Sequence, residues 1–326
     1  MSVWKDRNVV VTGGTGFLGG HLVKRLRAEG ARVTAPSSAE CDLLRADEAQ
    51  RLLEGSPDVV FHLASRVGGI GANRRSPGEF FRDTLLMGLH ILEAARKAGV
   101  GRLVQVGTVC SYPKITPVPF REEDLWSGFP EETNAPYGIA KRALVVGSRA
   151  YEQQYGLSSA NVLLLNLYGE NDHIDPENSH VIPALIRKCL EAQESGSGVV
   201  EVWGDGSPTR GFLYVEDAVT GILLAALHAP DSNPVNLGAP GEISIRDLAT
   251  LIGELTGFTG EFRFDPSRPG GQPRRALDCS RAEKLFGFQA QTPLREGLRR
   301  TIEWYRAERA RAARKEGAAP ARGIVS

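Results

Sequence analysis

Apolar and polar positions alternate with two periods along the first half of the chain. Residues 8–12 form a short β-branched run that leads into a glycine cluster. Residues 17–29 then carry Leu18, Leu22 and Leu26 four apart, which is the spacing of one helix face. Residues 32–35, 58–64 and 102–107 read as further short strands, with helical spacing over 80–97. A helical stretch at 137–155 precedes the apolar run 159–167. Strands that are nearly continuous apolar runs, separated by amphipathic helices, predict an α/β fold whose parallel sheet is covered on both faces, the doubly wound Rossmann type.

The pattern changes after residue 170. Residues 170–211 are richer in Pro, Asn, Gly and charge; 215–227 is helical again, and 234–238 suits a last sheet strand. Short elements punctuated by Gly and Pro fill 241–292, and 293–314 reads as a closing helix. The final EGAAPARGIVS has no core pattern and is expected to be loosely held.

Composition narrows the picture by exclusion. Lys+Arg and Asp+Glu both total 39, so a balanced chain offers no electrostatic reason to bind nucleic acid or an anionic membrane. No apolar stretch approaches the length of a membrane span. Cys41, Cys110, Cys189 and Cys279 form no C-x-x-C pair, so neither a zinc site nor a disulfide framework is indicated. MSVWKDRNVVVTGG runs straight into the first strand without a signal-peptide core, so a reduced, soluble, cytoplasmic protein is expected.

The candidate chemistry starts at the glycine cluster. Gly14, Gly16 and Gly19 satisfy G-x-G-x-x-G, and Gly13, Gly16 and Gly19 satisfy a second spacing, between a strand and a helix. Such a turn lets the backbone approach a pyrophosphate, which the helix N-terminus then binds. At the end of the second strand stand Pro36, Ser37 and Ser38, neither the acidic residue that favours NAD nor the arginine that favours NADP. Asp42 and Leu43 either touch the adenine edge or lie in a solvated loop.

Tyr137 and Lys141 are four apart, so a helix would put both on one face. A nearby ammonium would lower a phenol pKa from about 10 and make it a usable acid–base group, although Y-x-x-x-K also suits a plain surface pair. If the strand before Thr108 stays extended, Thr108 and Cys110 point to one side at the ligand-binding edge of the sheet. Thr108 could then bond a substrate carbonyl; Cys110, judged alone, is more readily a buried small hydrophobe than an acid–base thiol. His173, Asp175 and His180 lie in a polar segment whose spacing matches no ligand motif, so no metal is expected.

The glycine turn, Thr108 and Y-x-x-x-K together resemble the extended short-chain dehydrogenase/reductase superfamily. The runs RVGGIGAN, GTVCSYP, ETNAPYGIAK, NLYGEND, NSHVIPALIRK, WGDGSPTRGFLYVED and PGGQPRRALD are similar to those of the GDP-L-fucose synthase family, in the same order, to about residue 305. That resemblance implies NADP(H) as cofactor, with NAD(H) possible, a homodimer, and a GDP-sugar substrate carried through C3/C5 epimerisation and C4 reduction. It places the Ser-Tyr-Lys triad on Thr108, Tyr137 and Lys141 and the epimerisation pair on Cys110 and His180, which makes Cys110 an acid–base thiol rather than a packed hydrophobe. It places Gly13, Thr15, Gly16, Phe17, Leu18 and Gly19 against the dinucleotide, with Ser37, Asp42, Leu43, Leu63, Ala64 and Val106. Asn166, Leu167 and His180 complete that set, beside Tyr137 and Lys141. Substrate contacts fall on Asn166, Lys188, Trp203 and Arg210. The chain departs from the family at Thr108, for Ser; at Ser111, for an apolar residue; at Gly211, for Glu; and at Pro269-Gly270-Gly271, for P-D-G. It also lacks basic residues for a 2′-phosphate. The implied division is a dinucleotide domain at 1–169 with 212–240, a smaller α/β nucleotide-sugar domain at 170–211 with 241–310, and a tail at 311–326. Rival readings are an epimerase without net reduction, an enzyme of another keto sugar such as a GDP-deoxyheptose, and a non-catalytic dinucleotide sensor.

Overall fold

The computed structural model describes residues 2–174, 179–268 and 272–317. Its first half alternates β1 (Asn8–Thr12), α1 (Phe17–Ala28), β2 (Arg32–Thr34), α2 (Ala46–Leu53), β3 (Val59–His62), α3 (Ile70–Arg75), α4 (Pro77–Ala98), β4 (Arg102–Thr108), α5 (Ala135–Tyr155) and β5 (Ser159–Leu164). The main sheet has the order β10-β5-β4-β3-β1-β2, with β10 at Pro234–Leu237, and every pairing in it is parallel. Both faces are covered, as the apolar runs predict. Val9 and Val11 join Leu22 and Leu26 of α1 and Val219 and Ile222 of a later helix, while Val10 joins Leu53, Ile91, Leu92 and Leu144 on the other side. Leu22, Leu26, Ile91 and Leu92 are fully buried. At roughly 1.5–3 kcal/mol for each such side chain, packing rather than helix propensity holds these helices.

The run at 159–167 is not one strand. It breaks at Leu165, whose amide bonds Leu237 of β10, and resumes as β6 (Asn166–Tyr168). β6 has left the main sheet and pairs with β9 (Phe212–Tyr214), so this break is where the chain turns toward the second unit. Between them lie α6 (Val181–Ser195), β7 (Val199–Trp203) and β8 (Thr209–Arg210). α7 (Val215–His228) returns to the first unit and leads to β10; β11 (Ile243–Ser244), α8 (Ile245–Thr256), β12 (Glu261–Asp265), β13 (Arg274–Arg275), α9 (Ser280–Phe286) and α10 (Leu294–Gly317) follow. β7 pairs with β12, and β8 lies between β11 and β13. A separate apolar cluster of Ile182, Leu185, Ile186, Val200, Leu248 and Leu298 fills this unit. The closing helix continues past residue 314 to Gly317, and 318–326 lie outside the described residues.

Candidate active site

The strand order reverses beside β1, between β2 and β3, and there the first glycine turn crosses the end of β3. Gly13 has φ +70°, and a Cβ on it would sit 2.8 Å from the Ala64 amide nitrogen. A Cβ on Gly19 would run into the Gly13 carbonyl, so α1 can begin this close only with glycine there. Gly16 caps α1 without a side-chain hydrogen bond, and no acidic residue stands in its first turn. The first amides of α1, beside Phe17 and Leu18, are therefore open to an anion, as a dinucleotide pyrophosphate requires. Beneath the turn His62 is fully buried, with Nδ1 2.8 Å from the Thr12 hydroxyl. Burial, reinforced by the charge of Lys141, lowers its pKa to about 3, so the ring is neutral.

Thr108 ends β4, and its Oγ1 accepts from the Cys110 amide at 3.2 Å. That bond starts a 3-10 turn over Val109–Ser111, so the condition of an extended chain through Cys110 is not met. The turn keeps both side chains on the cavity wall by another route. A Cβ on Gly138 would clash with the Cys110 carbonyl, and the Ser111 hydroxyl donates to the Gly138 carbonyl. Glycine at 138 thus lets α5 press its first turn, and Tyr137, against the Thr108–Cys110 turn.

Lys141 is buried and donates from Nζ to the Val106 carbonyl at 2.8 Å; Nζ lies 6.0 Å from the centre of the Tyr137 ring. Burial lowers the Lys141 pKa to about 8. Burial also raises the Tyr137 phenol above its ordinary value, Cys110 adds to the rise, and a hydrogen bond with Ser65 partly offsets it. The expected lowering of the phenol by Lys141 is absent, because the ammonium is directed at a backbone carbonyl and desolvation dominates the phenol.

The opposite wall comes from the second unit. Asn166 Nδ2 donates to the Gly211 carbonyl at 2.9 Å, which ties β6 to the β8–β9 link. His180 is the N-cap residue of α6, with Nδ1 3.9 Å from Asp172 Oδ1. Asp172 raises the His180 pKa against the opposing effect of burial. Lys188 Nζ bonds the Glu201 carbonyl at 2.7 Å, and Trp203 is 56% exposed with Arg268 5.5 Å over its ring. Burial, then the charge of Arg275, lowers the Arg210 pKa to about 10. Arg275 also reaches Cys110, with Nη1 3.7 Å from Sγ. The charge of Arg275 thus disfavours that of Arg210, and an anion bound beside Arg210 would offset that cost.

One cavity of about 1220 Å³ connects these walls. Its wall takes in Gly13, Thr15, Gly16, Phe17, Leu18 and Gly19, with Asp42, Leu43, Leu63, Ala64 and Val106. Thr108, Cys110, Tyr137, Lys141, Asn166, Leu167 and His180 line it too, as do Lys188, Trp203 and Arg210. Ser37 is not on the wall; its amide and hydroxyl both donate to Glu40 Oε2 at 2.8 Å, while Pro36 and Ser38 face the space. Asp42 Oδ1 accepts from the Leu44 amide at 3.0 Å, closing its own loop. Ser65, Arg66, Asp172 and Arg275 are wall residues that sequence reasoning missed; the last three fall in runs shared with the family, which could have flagged them, whereas Ser65 falls in none. Asp175 and Pro269-Gly270-Gly271 lie outside the described residues.

Known proteins share both the sequence and the shape of this chain. The NAD dependent epimerase/dehydratase family matches residues 9–238. The chain is 37% identical over 304 residues to GDP-L-fucose synthase of Sinorhizobium fredii, covering 93% of this chain and 96% of that protein. It is 38% identical to probable GDP-L-fucose synthase 1 of Oryza sativa, covering 92% of each. The crystal structure of a GDP-L-fucose synthetase from Naegleria fowleri bound to NADP superposes with a TM-score of 0.86 at 28% identity, over 95% of this chain and 97% of that one.

Proposed function

The chain belongs to the NAD dependent epimerase/dehydratase family, among the GDP-L-fucose synthases, and from that premise we propose that it converts GDP-4-keto-6-deoxy-D-mannose to GDP-L-fucose. NADP(H) is the cofactor, with NAD(H) also accepted; when bound it supplies the hydride for C4. The observation that carries the reading is the shared cavity. It sets Thr108, Tyr137 and Lys141 from one unit against His180 from the other, with Cys110 on the first wall.

Hydrogens on C3 and C5 are acidified by the C4 ketone, and removing either leaves an enolate. The Thr108 hydroxyl and the Tyr137 phenol stabilise its oxygen by hydrogen bonds. Cys110 and His180 remove and return protons at carbon, a role that thiol and imidazole groups can both fill near neutral pH. Tyr137 then protonates O4 as the carbonyl is reduced, and its raised pKa keeps it protonated until that moment. Lys141 holds the nicotinamide ribose. Arg210 and Lys188 take the sugar diphosphate, and Trp203 offers its exposed face to the base.

Residues 1–169 with 212–240 serve the cofactor, and 170–211 with 241–310 serve the sugar nucleotide. Phe81 and Leu89 on α4 and Val146 on α5 are exposed on helices that pack together, which supports a homodimer through that face. Among the described residues no helix is long and apolar enough to cross a membrane, and the four cysteines are free, in keeping with a cytoplasmic enzyme. The test is a stoichiometric assay with NADPH and GDP-4-keto-6-deoxy-D-mannose. One NADPH oxidised per GDP-L-fucose formed is expected. An isomerised keto sugar without NADPH oxidation would identify an epimerase instead, and turnover confined to a GDP-4-keto-heptose would move the substrate.

A further inference from the structure

Asp172 takes no part in the proton and hydride transfers above, yet its side chain is 2% exposed while it lines the catalytic cavity. Its Oδ1 accepts from the His173 amide at 2.7 Å, and Oδ2 is buried with no hydrogen-bond partner. A buried carboxylate oxygen without a partner is costly and calls for a function. The ionisable side chain brought to this carboxylate is the His180 ring, whose Nδ1 lies 3.9 Å from the other oxygen, Oδ1.

His180 needs such a partner. As the N-cap residue of α6 it sits at the positive end of a 15-residue helix, which disfavours an imidazolium. On its own helix Arg187 and Lys188 follow, and around the same cavity stand Lys141, Cys110, Tyr137, Arg210 and Arg275. Among the described residues Asp172 is the only carboxylate in contact with the ring.

We infer that Asp172 is a positioning residue for His180, holding Nδ1–H toward its carboxylate so that Nε2 is the nitrogen presented to the sugar carbon. This rests on the proposed role of His180 in epimerisation. The bond made by one imidazole nitrogen fixes the tautomer at the other. When protonated, His180 carries hydrogen on both nitrogens and gives up the one on Nε2. The neutral ring that remains keeps Nδ1–H, and Asp172 stays a carboxylate throughout. The same contact favours the protonated ring, in line with the raised His180 pKa.

The inference is tested without any sugar, by ¹⁵N NMR of the ligand-free full chain, with His180→Gln identifying the His180 signals. The expected wild-type result is a neutral Nδ1–H tautomer and a titration midpoint above the usual histidine value. In Asp172→Asn, which keeps an acceptor for the His173 amide, the midpoint should fall by about one pH unit or more. Asp172→Glu should restore much of it. With substrate, the pH profile of solvent deuterium entry at C3 and C5 should move in the same direction in Asp172→Asn. An Nε2–H tautomer in the wild type, or an unchanged midpoint in a folded Asp172→Asn, overturns the inference. The wild-type tautomer decides the matter even if both Asp172 variants fail to fold. Failure of the functional reading is separate: it would appear as absent turnover of GDP-4-keto-6-deoxy-D-mannose by a wild type whose His180 still shows the expected tautomer.

Discussion

The two walls of the cavity are held in different ways. On the sheet side, Thr108 ends a strand paired on both flanks, Lys141 is anchored to the Val106 carbonyl, and Gly138 presses α5 onto the Cys110 turn. Backbone ladders and close packing fix those groups. On the other side, His180 depends on a carboxylate, Arg275 on Gln272, and Trp203 on an exposed guanidinium. Individual polar contacts between short segments fix these. The difference teaches how each wall can lose its geometry: a change of shape should displace the groups of the first wall, and loss of one polar partner those of the second.

The largest break falls on the first wall. Tyr137→Phe removes the proton donor for O4 and one donor to the enolate, so NADPH oxidation should fall by about 10²–10⁴-fold, read as kcat with the keto sugar. A residual rate within a few fold of wild type would remove Tyr137 from the mechanism.

Gly138→Val comes next. Its side chain meets the backbone carbonyl of Cys110, which has no flexible end to yield. A stability loss of about 1–3 kcal/mol is expected in urea unfolding, with activity falling further than stability because the Cys110 turn must move. Unchanged stability and activity would show that the approach of α5 is incidental.

Acidity offers a gentler probe of the same wall. Lys141 has a pKa of about 8, so its ammonium is present below that pH and lost above it. NADPH affinity, titrated by fluorescence, should hold steady from pH 6 to 7.5 and weaken by up to about tenfold per pH unit above 8. A flat profile to pH 9.5 would separate Lys141 from cofactor binding.

The smallest effect concerns the joint between the walls. His21 on α1 bonds Glu216 of α7 at 2.5 Å and the Glu170 carbonyl at 2.8 Å, just before Asp172. Burial alone would lower its pKa, but these partners raise it, while His21 lowers that of Glu216. A raised histidine stabilises the fold fully below its ordinary value of 6.5 and loses that contribution as pH rises through the folded value. Glu216→Gln should therefore lower Tm by at most about 2–4 °C at pH 6 and by less at pH 9. A larger loss at pH 9 would reverse the sign and refute the pairing.

Legibility in the sequence follows the same divide. β1, β3, β4 and α5 are readable because sheet strands buried on both faces must be apolar throughout and helices must repeat. The glycine turn is readable because close approach to an anion admits only glycine there. The break at Leu165 is not, since an apolar run carries no mark of which strand it will pair with. The turn at Cys110 is hidden too: it starts from a Thr108 side-chain bond to the backbone, whereas strand periodicity argues for continued extension. Asp172 and Arg275 look like any charged residues of polar segments; the meaning of Asp172 lies in its contact with His180 across a non-helical stretch, and that of Arg275 in contacts with Cys110 and Arg210 from distant segments. The resemblance to known synthases supplies His180, Lys188, Trp203 and Arg210, which periodicity cannot.

The most direct test of the central claim separates proton transfer at carbon from reduction at C4 in a single protein, Cys110→Ser, assayed in heavy water with GDP-4-keto-6-deoxy-D-mannose and NADPH. The hydroxyl keeps the size of the thiol but is a far weaker acid. Deuterium should enter C3 and C5 about 10²–10⁴-fold more slowly than in wild type, while unepimerised keto sugar is still reduced to a C4 alcohol with NADPH oxidation. Deuterium entry at the wild-type rate would contradict the account, leaving Cys110 a packed thiol and the epimerisation without its base.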